Sequence, residues 1–130
     1  MNRLFFWIGM AGLLTLGACE TPYTQGRRLY EFHCANCHMD DGTGLSGVIP
    51  PLAQADFVRD SMQRLPCIIR KGMQGLVTVN GRTYNQFMPG NPELTSAEIA
   101  NIINYINSAW GNDYGYMKIS DIERVLEDCP

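Results

Sequence analysis

Cys34-Ala35-Asn36-Cys37-His38 constrains this chain more than any other stretch of its 130 residues, because C-x-x-C-H is the spacing at which two thiols and one imidazole can hold a haem c. The two cysteines lie about one helical turn apart, so both sulfurs reach the vinyl-derived carbons along one edge of a porphyrin. His38 follows directly and is placed to ligate the iron through a neutral imidazole. Covalent tethering holds the ring still, so little reorganisation accompanies a change of redox state. Two other uses of paired cysteines fit poorly. A thioredoxin-like site needs its C-x-x-C at the end of a strand in a βαβ unit, and residues 23–32 hold no β-rich run. A zinc site needs a second close pair of Cys or His ligands, and none follows.

The compartment agrees with the motif. Residues 1–18 read as a secretory signal peptide, with Arg3 as the positive start, an apolar run over 4–16, and small Gly17 and Ala18 ahead of Cys19. The run is short for a transmembrane helix. Leu16-Gly17-Ala18-Cys19 resembles the bacterial lipobox, in which cleavage precedes the cysteine and that cysteine takes up lipid. Lipidation of Cys19 predicts a periplasm-facing protein anchored at a membrane face, and Glu20 in place of an Asp points to the outer membrane. Loss of Arg3 with the signal leaves nine basic against thirteen acidic residues, a net charge of −4, which argues against nucleic acid as a partner.

With Cys19 assigned to lipid and Cys34 and Cys37 to haem thioethers, Cys67 and Cys129 remain. Exported proteins seldom keep two free thiols, so a Cys67–Cys129 disulfide is expected, stabilising the fold by roughly 4 kcal/mol in the chain-entropy model. The alternative is two reduced thiols.

The mature length suits one small domain closing around the haem. We expect a signal at 1–18, a tether at 19–24, the haem domain at 25–112 and a C-terminal extension with a short helix at 113–130. Periodicity predicts a helix over 25–37 with Pro22 at or before its start, then an irregular loop over 40–53 rich in Gly and Pro. A loose helix follows over 56–70, broken at Pro66. Leu76-Val77-Thr78-Val79, Asn80-Gly81 and Arg82-Thr83-Tyr84 signal a hairpin. Thr95-Ser96-Ala97-Glu98 reads as a capping box opening a helix whose apolar stripe is Ile99, Ile102, Ile103, Ile106 and Trp110, ended by Gly111. Ser120 to Glu123 repeats the capping pattern in the tail.

For the second axial position the candidates are Met39, Met62, Met73, Met88, Met117 and His33. Met39 and His33 abut the motif itself, and Met62 and Met117 lie on helical patterns where methionine usually fills core. Met88 precedes Pro89, which biases it to an extended backbone with a free side chain, so Met88 is favoured and Met73 is held in reserve.

The Cys34-to-His38 motif, Gly26 and Tyr30 ahead of it, Pro50-Pro51-Leu52, Met88-Pro89 and the closing helix with Tyr105 together make the chain resemble a class I bacterial cytochrome c over residues 25–112. The resemblance implies an all-α fold of three to five short helices around one covalently bound haem c, here with a small β-hairpin insertion. It implies that His38 and Met88 are the axial iron ligands, that the Pro50 carbonyl accepts a hydrogen bond from the proximal imidazole, and that Gly26 meets Tyr105 where the terminal helices cross. Ser108-Ala109-Trp110-Gly111-Asn112 also resembles the end of cytochrome domains serving quinoprotein dehydrogenases. An iron closed by His and Met exchanges electrons and binds no substrate, so the expectation is no enzyme but a carrier between respiratory or dehydrogenase donors and a terminal oxidase or reductase. The alternatives are a haem-based sensor or small peroxidase-like enzyme with a labile sixth ligand, and a fixed subunit of a membrane complex. The segment 57–88 carries Arg59, Arg64, Arg70, Lys71 and Arg82 against Asp60, an expected docking face for an acidic partner unless it is merely a solvated surface.

Overall fold

Helix α1, Pro22–His33, starts where a proline costs nothing, because a first-turn N–H has no intrahelical partner to lose. The Thr21 hydroxyl caps it by accepting from the Thr24 amide at 3.2 Å. These features come from a computed structural model that describes residues 21–130; the expected signal peptide and Cys19 lie outside the described residues. Pro22 is the first residue of the helix, as expected for a proline at its start, and the helix expected to run on to Cys37 breaks at Cys34. There the Cys34 amide closes α1 on the Tyr30 carbonyl at 2.8 Å, while its own carbonyl accepts from Cys37 and His38. Cys34 thus ends one helix and begins the next, the single turn α2 at Ala35–His38.

The second structural pillar is α5, Ser96–Ser108, opened by the anticipated capping box. Glu98 Oε2 accepts from the Thr95 amide at 2.8 Å and Thr95 Oγ1 accepts from the Glu98 amide at 3.3 Å. Its stripe of Ile99, Ile102, Ile103 and Ile106 is buried. Helices α1 and α5 cross at Gly26, where an added Cβ would collide with the Asn101 carbonyl and with the Cβ of Tyr105. The helix stops at Ser108, short of Gly111, because Ala109 turns extended and Trp110 takes a positive φ of 52°. Trp110 therefore leaves the stripe in which the periodicity placed it. Its indole donates to the Asp40 carbonyl at 3.1 Å and packs edge-on to Tyr30 and Tyr105.

Between the pillars lie α3 (Asp56–Asp60), a 3-10 turn at Met62–Arg64 and α4 (Leu65–Lys71). The expected break at Pro66 falls instead at Ser61, and Pro66 sits in the first turn of α4, where its ring is accommodated. The anticipated hairpin is present as β2, Val77–Val79, and β3, Arg82–Tyr84. Asn80 and Gly81 both take positive φ, 50° and 74°, as its two-residue turn requires. A second ladder has no counterpart among the sequence signals: β1, Gly72–Met73, pairs antiparallel with β4, Met88–Pro89.

The extension forms α6, Ile119–Glu127, on the outside of α4 and α5. Ser120 does not cap it. Asn104 grips the preceding backbone, accepting from the Met117 amide at 2.8 Å and donating to the Met117 carbonyl at 2.9 Å, so the helix starts from Lys118. Cys67 of α4 is joined to Cys129 by a disulfide, with Cα atoms 5.6 Å apart. Among the described residues, the α-helices number six and none is long and apolar enough to cross a membrane.

Candidate functional site

The packing leaves a strongly apolar cleft, partly open to solvent, between α2, residues 50–52, α4, the β1–β4 ladder and α5. The break at Cys34 aims α2 into it. His38 is buried, 8% exposed, and Cys34 is half-buried on the cleft wall, while Cys37 is exposed at its outer mouth. The Tyr30 hydroxyl donates to the Met39 carbonyl at 2.6 Å, holding the backbone just past His38, and burial raises the pKa of that phenol.

The His38 ring is set by its Nδ1, 3.1 Å from the Pro50 carbonyl oxygen. Burial lowers the imidazole pKa, and the Pro50 hydrogen bond partly offsets the shift. A neutral ring that donates through Nδ1 keeps the Nε2 lone pair available for a metal. The loop presenting Pro50 is tight: Gly44 runs so close to the carbonyls of Ile49 and Pro50 that no Cβ fits there.

Asn112 clamps the far end of this loop, a role that sequence reasoning missed. Its side chain accepts from the Gln54 amide at 2.6 Å and donates to the carbonyls of Leu52 at 3.1 Å and Ile106 at 2.7 Å. Two of these bonds reach the segment after Pro50 and the third anchors the side chain on α5, and the residue is buried. The local sign was a polar residue just past Trp110-Gly111, which by itself suggests only a helix stop.

On the other side, Met73 and Met88 are directly paired in the β1–β4 ladder and both line the cleft. Met39, Met62, Met117 and His33 are absent from its lining; Met117 is core, and Met62 lies beside Asn107. The favoured methionine and its reserve therefore share a wall, at the register where one strand supports the other.

The Cys34 thiol is pushed up to about 12, first by burial and then by Cys37, which marks its sulfur as facing an apolar space. A haem fits these residues. Two sulfurs and an imidazole stand together at one end, aliphatic side chains such as Val58, Ile69 and Ile102 form the walls, and thioethers are available on the ladder. The mouth near Cys37 is lined by the exposed side chains of Val48 and Phe87, 43% and 56% exposed.

The basic residues of 57–88 do not converge on that mouth. Arg59 pairs with Asp60 at 2.7 Å, Arg64 lies over the Phe57 ring, and Lys71 donates to the backbone oxygens of Cys129 and Pro130. Arg82 donates to Ser46 Oγ of the loop at 3.0 Å.

A cytochrome c family model matches residues 23–110. The chain is 34% identical over 107 residues to a cytochrome c-552 of Thermus thermophilus, covering 79% of this chain and 72% of that protein. A second Thermus thermophilus cytochrome c-552 is 36% identical over 91 residues, 67% of this chain and 69% of the relative. The cytochrome c subunit of the quinone alcohol dehydrogenase of Gluconobacter oxydans is 34% identical over 104 residues, 77% of this chain but 21% of that subunit.

Proposed function

The chain belongs to the cytochrome c family, with one covalently bound haem c and electron transfer as its chemistry, and from that premise we propose that it is a lipid-anchored, periplasm-facing single-electron shuttle. In this reading Cys34 and Cys37 form the haem thioethers, His38 and Met88 are the axial ligands, and Cys19 carries the lipid anchor. Donors are respiratory enzymes or dehydrogenases, and acceptors are a terminal oxidase or reductase.

The observation that carries the reading is the apolar cleft with a buried, Pro50-bonded His38 and the paired Met73 and Met88 on its lining. Bound there, the haem supplies a one-electron couple. The protein's own part is to keep that couple closed and poised. Aliphatic walls exclude water and lower the local dielectric. The Pro50 carbonyl holds the His38 ring in one orientation and one tautomer, as an outer-shell partner does in other metal sites. A thioether on the remaining side favours the reduced state more than a second imidazole does, which sets a comparatively high potential. Exposed Cys37, flanked by Val48 and Phe87, makes the cleft mouth the point of electron entry and exit.

Visible spectroscopy of haem-loaded protein tests the ligand set. The wild type is expected to show the far-red band of methionine sulfur bound to ferric iron, and Met88→Ala to lose it. Loss in Met73→Ala with retention in Met88→Ala would transfer the role to the neighbouring strand.

A second reading, a fixed subunit of a membrane dehydrogenase complex, is favoured by the similarity to the alcohol dehydrogenase cytochrome subunit. Purification from detergent-solubilised membranes separates the two: a shuttle elutes alone, and a subunit elutes with a dehydrogenase.

A further inference from the structure

Met88 sits on a strand of two residues, too short to hold its own position. Its placement is borrowed from α4. The ladder pairs Met73 with Met88 and Gly72 with Pro89, and the Asn91 amide donates to the Ile69 carbonyl at 2.8 Å. At Gly90 the backbone presses against the last turn of α4, so closely that an added Cβ would collide with the backbone of Arg70 and Lys71. Wherever the end of α4 goes, Met88 goes with it.

Helix α4 is itself weakly determined. It has seven residues, and no side chain caps its N-terminus. Its inner face, Leu65 and Ile69, packs on the core; its outer face is held by the extension. Cys67 is covalently joined to Cys129, and one turn later Lys71 Nζ donates to the backbone oxygens of Cys129 at 2.9 Å and Pro130 at 2.8 Å. Residues 67 and 71 lie at helical spacing of four on the same face, so both fastenings act on one side of α4. Beneath them, Ile122 of α6 is fully buried.

We infer that the C-terminal extension is a strap that positions the sixth ligand, with Cys67, Cys129 and Lys71 as positioning residues acting through α4 and the β1–β4 ladder. The inference rests on the reading of Met88 as the axial methionine. Ile68 and Met73 line both the haem cleft and the outer groove beside the strap, so only one layer of side chains separates the two. Loosening the strap lets α4 and Met88 move away while α1, α5 and the His38 side stay packed, which opens the iron to added ligands.

The test uses the haem-loaded full chain with the substitutions Cys67→Ser and Cys129→Ser made together, and Lys71→Met made alone. Two quantities are read: cyanide association with the ferric protein, and the temperature at which the far-red sulfur band is lost relative to the loss of helical circular dichroism. The strap predicts cyanide association faster by about tenfold in the double variant, with a smaller increase in Lys71→Met. It also predicts a band that disappears well below the temperature at which helix melts. A purely structural staple would lower both transitions together. Cyanide rates within about twofold of wild type, with band and helix lost in step, overturn the inference. Should the double variant fail to fold, Lys71→Met, which keeps the disulfide, decides with the same two readouts. A wild type with no sulfur band removes the Met88 reading and this inference with it, whereas a wild-type band with unresponsive variants removes the strap alone.

Discussion

Individual side chains divide by how far away their partners lie. Thr95 and Glu98 find each other three residues apart, so their capping box is readable from spelling alone. Asn112 cannot be read that way, because its hydrogen bonds reach Gln54 and Leu52, 58 and 60 positions away. Its one side chain satisfies two backbone groups of the loop segment and one carbonyl of α5. Asn112→Ala leaves those groups unpartnered and is expected to cost about 3 kcal/mol, on the order of 10 to 20 °C in melting temperature. The loop it holds also carries the Pro50 carbonyl, so the same variant is expected to broaden the proximal imidazole proton signal in the reduced protein. Thermal melts and proton NMR check both; an unchanged melt would show that Asn112 is dispensable. Trp110 makes the same point. Its spacing fits a helical stripe, yet a positive φ and a bond to Asp40 turn it into a lid over Tyr30 and Tyr105.

At the scale of elements, α1 and α5 were legible in outline because amphipathic periodicity and caps are local signals. Their crossing depends on one missing side chain. At Gly26 an added methyl meets the Asn101 carbonyl, which belongs to a helix backbone and cannot rotate away. Gly26→Ala gains helix propensity but forces the helices apart, with an expected net loss of about 2 kcal/mol. Chemical denaturation measures it, and a stabilised variant would mean that the helices slide at no cost. The β1–β4 ladder escaped prediction for a clear reason: strands of two residues leave no pattern, and their pairing is fixed by where α4 ends. Pro66 misled in a similar way, since a proline reads as a break until the position of the first turn is known.

For the molecule as a whole, surface charge is the term that tertiary structure rewrites. The basic run over 57–88 suggested an electrostatic docking face, but Arg59 faces Asp60 and Lys71 faces the strap. Reversing Lys71 to Glu would therefore loosen α4 rather than report on a partner. The surface around Cys37 is instead apolar, and contacts of that kind depend on desolvation more than on long-range steering. Replacing Val48 and Phe87 together by Asp is expected to slow electron exchange with a physiological partner by about tenfold or more. Exchange with a small chemical reductant and the melting temperature should stay near wild type. Stopped-flow kinetics at several salt concentrations check this, and rates unaffected by the substitution would move the docking site elsewhere. By itself, the amino-acid order determined the Cys34-to-His38 motif, the methionine candidates and the capped α5, because each rests on chemistry within a turn or two of chain. It also carried the family, since those local motifs stand in a set order along the chain. The Cys67–Cys129 disulfide was legible too, from the cysteines left over. Only the tertiary structure decided that His38, Met73 and Met88 line one cleft, that Asn112 locks the Pro50 loop, and that Lys71 adds a second fastening between α4 and the extension. Those arrangements depend on burial, on strands too short to leave a pattern and, for Asn112 and Lys71, on hydrogen bonds between residues about 60 positions apart, and such distances leave no period in a sequence.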